Sequence, residues 1–317
     1  MNALIRFAGW VGFLSVLVMT ESSLTEIRAD DSKPCPGPSG LSLVATAGKP
    51  TYTLYEPVML TYTVRNRMDC RVETGLYIEW GRGIQIVIED RGKQIPFNDG
   101  MSSSSIIVRN RALEPGDADT GERILFYNDA ARQLAFPRPG QYRILVRAHV
   151  WNNPDPVLIE SNPVVVTIRD VRDQERKAID SLGSIDALTT LFRDGVKRFC
   201  AERSAEGCGD DLRAFLRRHP DSAYAPVVTF YLGISIGEGV LPIGADGDDA
   251  STVLNRFLER WPGHPFESLV MRTMVEESQR AGRREEAMER LHQLEGKYPE
   301  HVSELRELRS KVERTGQ

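Results

Sequence analysis

The sequence predicts an antiparallel β-sandwich followed by an array of α-helical hairpins, a multidomain chain of all-β and then all-α type, on three observations. Between about Leu41 and Arg169 apolar residues recur at every second position, the period of strands with one buried face. Beyond Arg169 the period changes to i, i+3, i+4, i+7, which puts the apolar residues on one face of a helix. The length, 317 residues, is enough for two domains with separate cores. The expected division is a signal peptide over residues 1–22, a disordered lead-in over 23–40, the sandwich over 41–170 and the helical domain over 171–317.

The first segment reads as a targeting signal. Arg6 supplies a positive charge ahead of an uncharged run from Phe7 to Met19, too short for the 20 or so apolar residues of a bilayer-spanning helix. Cleavage is expected between residues 20 and 30, with Thr20 and Ser22 as the small residues before a cut, and with no integral membrane segment left afterwards. Cys35 stands too far from the apolar run for a lipid anchor. The stretch SLTEIRADDSKPCPGPSG that follows is polar and rich in Pro, Gly and Ser, so it buries little surface.

Two strands carry the sandwich reading. Val58, Leu60, Tyr62 and Val64 alternate with Met59, Thr61, Thr63 and Arg65, and Tyr142, Ile144, Val146, Ala148 and Val150 alternate with Gln141, Arg143, Leu145, Arg147 and His149. Further strands are expected at Leu76–Trp80, Ile84–Ile88, Ile106–Val108, Ile124–Tyr127 and Val164–Ile168, separated by turns such as Arg91-Gly92, Pro115-Gly116 and Pro139-Gly140. About seven strands so punctuated fit an antiparallel sandwich.

In the helical half, Leu212, Phe215 and Leu216 lead to Tyr224, Val227, Val228, Tyr231 and Leu232. Leu254, Phe257, Leu258 and Trp261 lead to Phe266, Leu269, Val270 and Met274. Met288, Leu291, Leu294 and Tyr298 lead to Val302, Leu305, Leu308 and Val312. Each passage crosses the same junction, a large apolar residue, three residues, an aromatic or His, then Pro: Phe215 to His219-Pro220, Phe257 to Trp261-Pro262 and Leu294 to Tyr298-Pro299. The prolines lie 42 and 37 residues apart, a repeat-like spacing. Proline lacks an N–H and disfavours helical geometry in the residue before it, so each junction ends one helix and lets the next fold back. Gly233 to Asp249 reads as a long glycine-rich loop that interrupts the middle copy.

These motifs carry two resemblances. Tyr55-Glu56-Pro57-Val58 running on to Asn66, Pro139-Gly140-Gln141-Tyr142, and Ser161-Asn162-Pro163-Val164 resemble strands of bacterial immunoglobulin-like domains, over about 130 residues and without implying a site. Gly282-Arg283-Arg284-Glu285-Glu286-Ala287 through Tyr298-Pro299-Glu300, with Phe215 through Ala225, resembles tetratricopeptide repeats over roughly residues 208–315. That resemblance implies binding of a protein or peptide on a helical face. Some sandwich domains with a Glu-Pro-Val second strand are similar to a bacterial proteinase-inhibitor family, which makes an inhibitor an alternative; a hydrolase with an unrecognised site is another.

Chemistry is not written in local motifs. The formal net charge of −5 lacks the dense basic face that nucleic acid needs. The five histidines, at 149, 219, 264, 292 and 301, show no zinc spacing, and His219 shares its slot with Trp261 and Tyr298, which favours corner packing. Asp246, Asp248 and Asp249 lack the calcium-loop pattern and read as helix-capping, solubilising carboxylates. Gly81-Arg82-Gly83 is a turn rather than a nucleotide loop, and Trp80, Trp151 and Tyr77 read as packing residues before a glycan platform. No catalytic residue, cofactor or metal is expected. The function expected is an exported, periplasmic or extracellular, non-enzymatic interaction or scaffold module with a protein or peptide partner.

Four cysteines, an even count, fit an oxidising compartment. Three pairings are open. Local pairing is favoured: Cys200 with Cys208 across the turn-forming segment Ser204–Gly207, and Cys35 with Cys70 beside neighbouring strands. A closed loop of tens of residues is worth about 3 kcal/mol in the chain-entropy model.

Overall fold

The computed structural model describes residues 40–75, 84–98, 110–152, 155–201, 204–244 and 247–314. The strands are β1 (Leu41–Ala47), β2 (Thr51–Thr53), β3 (Val58–Asn66), β4 (Val72–Gly75), β5 (Ile84–Asp90), β6 (Lys93–Phe97), β7 (Asn110–Leu113) and β8 (Ala118–Leu125), then β9 (Tyr127–Asn128), β10 (Gln133–Leu134), β11 (Gly140–Asn152), β12 (Asp155–Glu160) and β13 (Val164–Arg169). The helices are α1 (Asp173–Ser181), α2 (Ile185–Phe199), α3 (Ala205–Arg218), α4 (Ala225–Gly237), α5 (Ala250–Arg260), α6 (Glu267–Arg280), α7 (Arg284–Lys297) and α8 (Val302–Arg314). The expected signal peptide, most of the lead-in, and the strands expected at Leu76–Trp80 and Ile106–Val108 lie outside the described residues.

The strands form a three-stranded sheet in the order β1-β3-β8 and a larger one in the order β2-β13-β11-β5-β6, with β12 also on β11. Two short ribbons, β9 with β10 and β4 with β7, complete the set. Pairing is antiparallel except between β2 and β13, where Thr51, Tyr52 and Thr53 run parallel to Thr167, Ile168 and Arg169. Leu43, Leu60, Tyr62, Ile86, Ile144 and Val166 fill the space between the two sheets.

The fold class is where the sequence reading is corrected. The chain is not an all-β sandwich followed by an all-α repeat array; it is a mixed α/β unit, with parallel and antiparallel pairing in its sheets, spanning Pro34–Gln317. The reason sits on β3. Val58 and Leu125 are register partners and belong to the core between the sheets, whereas the next pair, Met59 and Ile124, packs among the helices. Adjacent strand residues point to opposite faces. The three-stranded sheet is therefore covered by helices at the Met59–Ile124 end of its outer face, and Val58, Met59 and Leu60 are all essentially inaccessible to solvent. Alternation read Met59 as part of an exposed row; a strand buried on both faces has no such row. Leu145 departs in the same way, being buried at 3% exposure.

Further contacts fasten helices to strands. Phe126 meets Phe192 of α2 edge to face at 5.5 Å, and Arg193 stacks over Tyr127 at 4.1 Å while bonding Asp129 at 2.6 Å. The Tyr224 hydroxyl donates to the Leu54 carbonyl at 2.8 Å.

The three helix junctions share one geometry. His219, Trp261 and Tyr298 adopt φ/ψ of −129/49, −127/59 and −130/59, and each donates its N–H to the carbonyl of the apolar residue four back, Phe215, Phe257 or Leu294. In the middle copy the loop is shorter than the sequence suggests, since α4 continues through Gly237. Two glycines there serve close packing. A β-carbon at Gly233 would collide with Leu254, and one at Gly237 with the Glu277 carboxylate. Helix α4 is buried nearly all round, as a helix enclosed by neighbours on every side requires.

Candidate functional site

Three places gather chemistry. The first is a polar seam where β8 meets α6 and the start of α8. Glu122 lies on the helix-covered face of β8, two residues from Ile124. Its Oε1 accepts from the Ser268 hydroxyl at 2.6 Å, and its Oε2 pairs with the Arg272 guanidinium. Arg272 also pairs with Glu304 of α8, leaving its Nε buried and without a partner. His301, 3% exposed, places Nδ1 3.5 Å from Glu304 and Nε2 3.9 Å from Glu122. Burial pushes the Glu304 carboxyl up, but hydrogen bonding to His301 and the Arg272 charge outweigh it and hold it below the usual carboxylate range. Ion pairs this enclosed are costly to break from one side, because the remaining charge is left buried alone.

The second place is the turn between β2 and β3. Tyr55 takes φ of 69°, a left-handed conformation that is strained for an aromatic residue. The Glu56 carboxylate accepts from the Thr53 N–H at 2.9 Å and pairs with Lys49. Burial raises the Glu56 carboxyl above its ordinary value despite the Lys49 charge. Beside it His264 is pushed down to about 4 by burial first and the Lys49 charge second. The cavity here, between Tyr55, Glu56, Phe126 and Phe136, holds about 10 Å³, room for roughly one water molecule.

The third is a depression of about 300 Å³ lined by Lys197, Cys200, Ala205 and Val240. Cys200 closes α2 and Cys208 lies in the first turn of α3, with the two at disulfide distance, 5.6 Å between Cα atoms. The segment Ser204–Gly207, expected as a turn, instead starts that helix. Ser204 caps it, its hydroxyl accepting from the Gly207 N–H at 3.1 Å. Arg213 pins the loop after α4, which carries Val240, by donating to the Pro242 carbonyl at 3.0 Å, and Ile243 next to it is 60% exposed.

Of the residues singled out in the sequence, Asp249 caps α5, accepting from the Thr252 N–H at 2.7 Å; that hydrogen bond holds its carboxyl below the usual range. Asp248 pairs with Arg256. His219 tilts against Phe215 at 5.6 Å. Cys70 is disulfide-bonded; Cys35, Trp80, Tyr77 and Asp246 fall outside the described residues, as do Gly81, Arg82 and Gly83. Sequence reasoning missed the Glu122–Arg272 pair, whose members stand 150 residues apart with no local motif around either. It also missed the Ser161-Asn162 crossing. Ser161 exchanges backbone and hydroxyl hydrogen bonds with Val146, and the Asn162 amide bonds both the N–H and the carbonyl of Ala45 at 3.0 Å, joining the two sheets at one edge.

Among the described residues no cluster of three or more His, Cys, Asp or Glu side chains is arranged to hold a metal, and no helix is long and apolar enough to cross a membrane. Neither a protein-family model nor a curated protein matches the chain. Some solved structures resemble part of it. A β-glucosidase from Listeria innocua in complex with laminaribiose is 14% identical over 44% of this chain and 16% of its own, at a TM-score of 0.23. The sporulation control protein Spo0M from Bacillus subtilis is 9% identical over 45% of this chain and 56% of its own, at 0.26. A Pseudomonas fluorescens alkylpurine DNA glycosylase bound to abasic-site DNA is 12% identical over 43% of this chain and 32% of its own, at 0.26. The chain spans less than two thirds of each, and a likeness this low assigns neither a fold family nor a function.

Proposed function

We propose that the chain is an exported, non-enzymatic interaction or scaffold module that engages a protein or peptide partner. The observation that carries this reading is how the charged side chains that reach into the packing are used. Glu122, Arg272 and Glu304 join three elements, Lys49 and Glu56 brace one turn, and Lys297 reaches Glu267 at 2.5 Å across two helices. Each supports packing, its charge spent on a partner within the fold. The depression beside Cys200, with Val240 on its wall and the exposed Ile243 on the same loop, offers a partner side chain an apolar contact. Export is supported by the Cys200–Cys208 pair, since disulfides persist in oxidising compartments.

The reading is tested with a benzophenone side chain in place of Ile243 in the full chain. The expected result is a discrete covalent adduct with an envelope protein, competed away by the unmodified chain and not by its Ile243→Asp form. One observation favours a second reading. The strained Tyr55 beside a buried Glu56 of raised pKa is an arrangement found at catalytic sites. Turnover of a peptide, ester or glycoside substrate that disappears in Glu56→Gln replaces the binding reading with that one.

A further inference from the structure

The last two helices are joined to the rest of the molecule differently from the others. Val275, Ala287, Leu291, Leu294, Leu305, Leu308 and Val312 make an apolar cluster of their own, separate from the larger one that unites α1 to α6 with Met59 and Phe126. Helix α6 is the wall between the two, with Val270 and Met274 facing the large cluster and Val275, flanked by Met271, facing the small one. Where the hairpin nears β8 and the adjoining stretch of α6, its contacts described above are polar. They are Glu304 on Arg272 and His301 between Glu122 and Glu304, with the Arg272 Nε left unpaired. A polar seam with an orphaned donor contributes little net stability, because desolvation of its charges offsets their attraction. Local opening follows such boundaries between cooperative units.

We infer that α7 and α8 form a strap that opens as a unit about α6 while the remainder stays folded, and that the Glu122–Arg272–Glu304 seam latches it to the sheet. Opening bares Met271 and Val275 on α6 and takes Glu304 and His301 away from Arg272 and Glu122, which stay paired with each other. The closed strap thus hides an apolar flank with a paired charge beside it.

Hydrogen–deuterium exchange of the full-length chain, read peptide by peptide, tests this. In the wild type, residues 284–314 are expected to exchange together and faster than α4, residues 225–237. Arg272→Met is expected to speed exchange in 284–314 by on the order of a hundredfold and to leave α4 unchanged. Glu304→Gln, which removes charge at the more exposed end of the seam, is expected to act in the same direction by about tenfold. Its result stands on its own if Arg272→Met does not fold. Exchange of 284–314 as slow as that of α4, or a variant that accelerates both segments equally, overturns the inference.

Discussion

Strands β3 and β13 both read as alternating runs, yet they sit in different surroundings. Along β13 the alternation is kept: Val164, Val166 and Ile168 are buried, and Val165 is 49% exposed. Along β3 it fails over the first three residues, where Val58, Met59 and Leu60 are all enclosed. The difference lies in the second layer. β13 turns one face to its partner sheet and the other to solvent, whereas β3 is pressed between the partner sheet and the helices. A period of two reports which residues share a face, and leaves open what covers that face.

The sharpest way to break this comparison is to trim matched apolar residues. Met59→Ala is expected to destabilise the protein by about 2–5 kcal/mol through lost contact and a residual cavity, and Val165→Ala to change stability by no more than about 0.5 kcal/mol. Urea unfolding of the two variants measures both, and equal costs dissolve the distinction.

A next effect concerns the turn that feeds β3. His264, held down at about 4, favours its neutral form in the folded chain. The resulting stability is fully present above about 6.5, the unfolded value, and is lost as pH falls from there towards 4. At most about 3 kcal/mol is involved. The wild type is expected to lose more stability than His264→Gln between pH 7 and pH 4, as read by thermal unfolding across that range.

A smaller effect belongs to the edge where β13 begins. Asn162→Ala removes both hydrogen bonds to Ala45, and a loss of about 1–2 kcal/mol is expected, with faster amide exchange at Ala45. Unchanged protection there shows that the crossing does not tie the two sheets.

Much of the local structure was legible in the sequence. Phe215 to Pro220, Phe257 to Pro262 and Leu294 to Pro299 were readable as helix junctions because proline and a preceding aromatic act over a few bonds, and their dihedral angles agree closely. Asp249 was readable as a cap for the same reason. Tertiary pairing was less accessible. Nothing near Glu122 announces Arg272, and Met59 differs from Thr61 only in what lies above it. Gly233 and Gly237 look like loop residues, yet they lie within helix α4, where Leu254 and Glu277 take the space their missing side chains leave. Of the candidate sites, only the Cys200–Cys208 proximity was within reach of sequence, being eight residues apart and local.

The double burial of β3 also sets an order of events during synthesis. Met59 and Ile124 leave the ribosome before α4, α5 or α6 exists to cover them, so the apolar end of the outer face of the three-stranded sheet is bare while the rest of the chain is still being made. Such an interval invites aggregation or capture by holding chaperones. The helices therefore act on this end of the sheet as a late-arriving lid, and a chain cut short after β13 is left with Met59 and Ile124 uncovered.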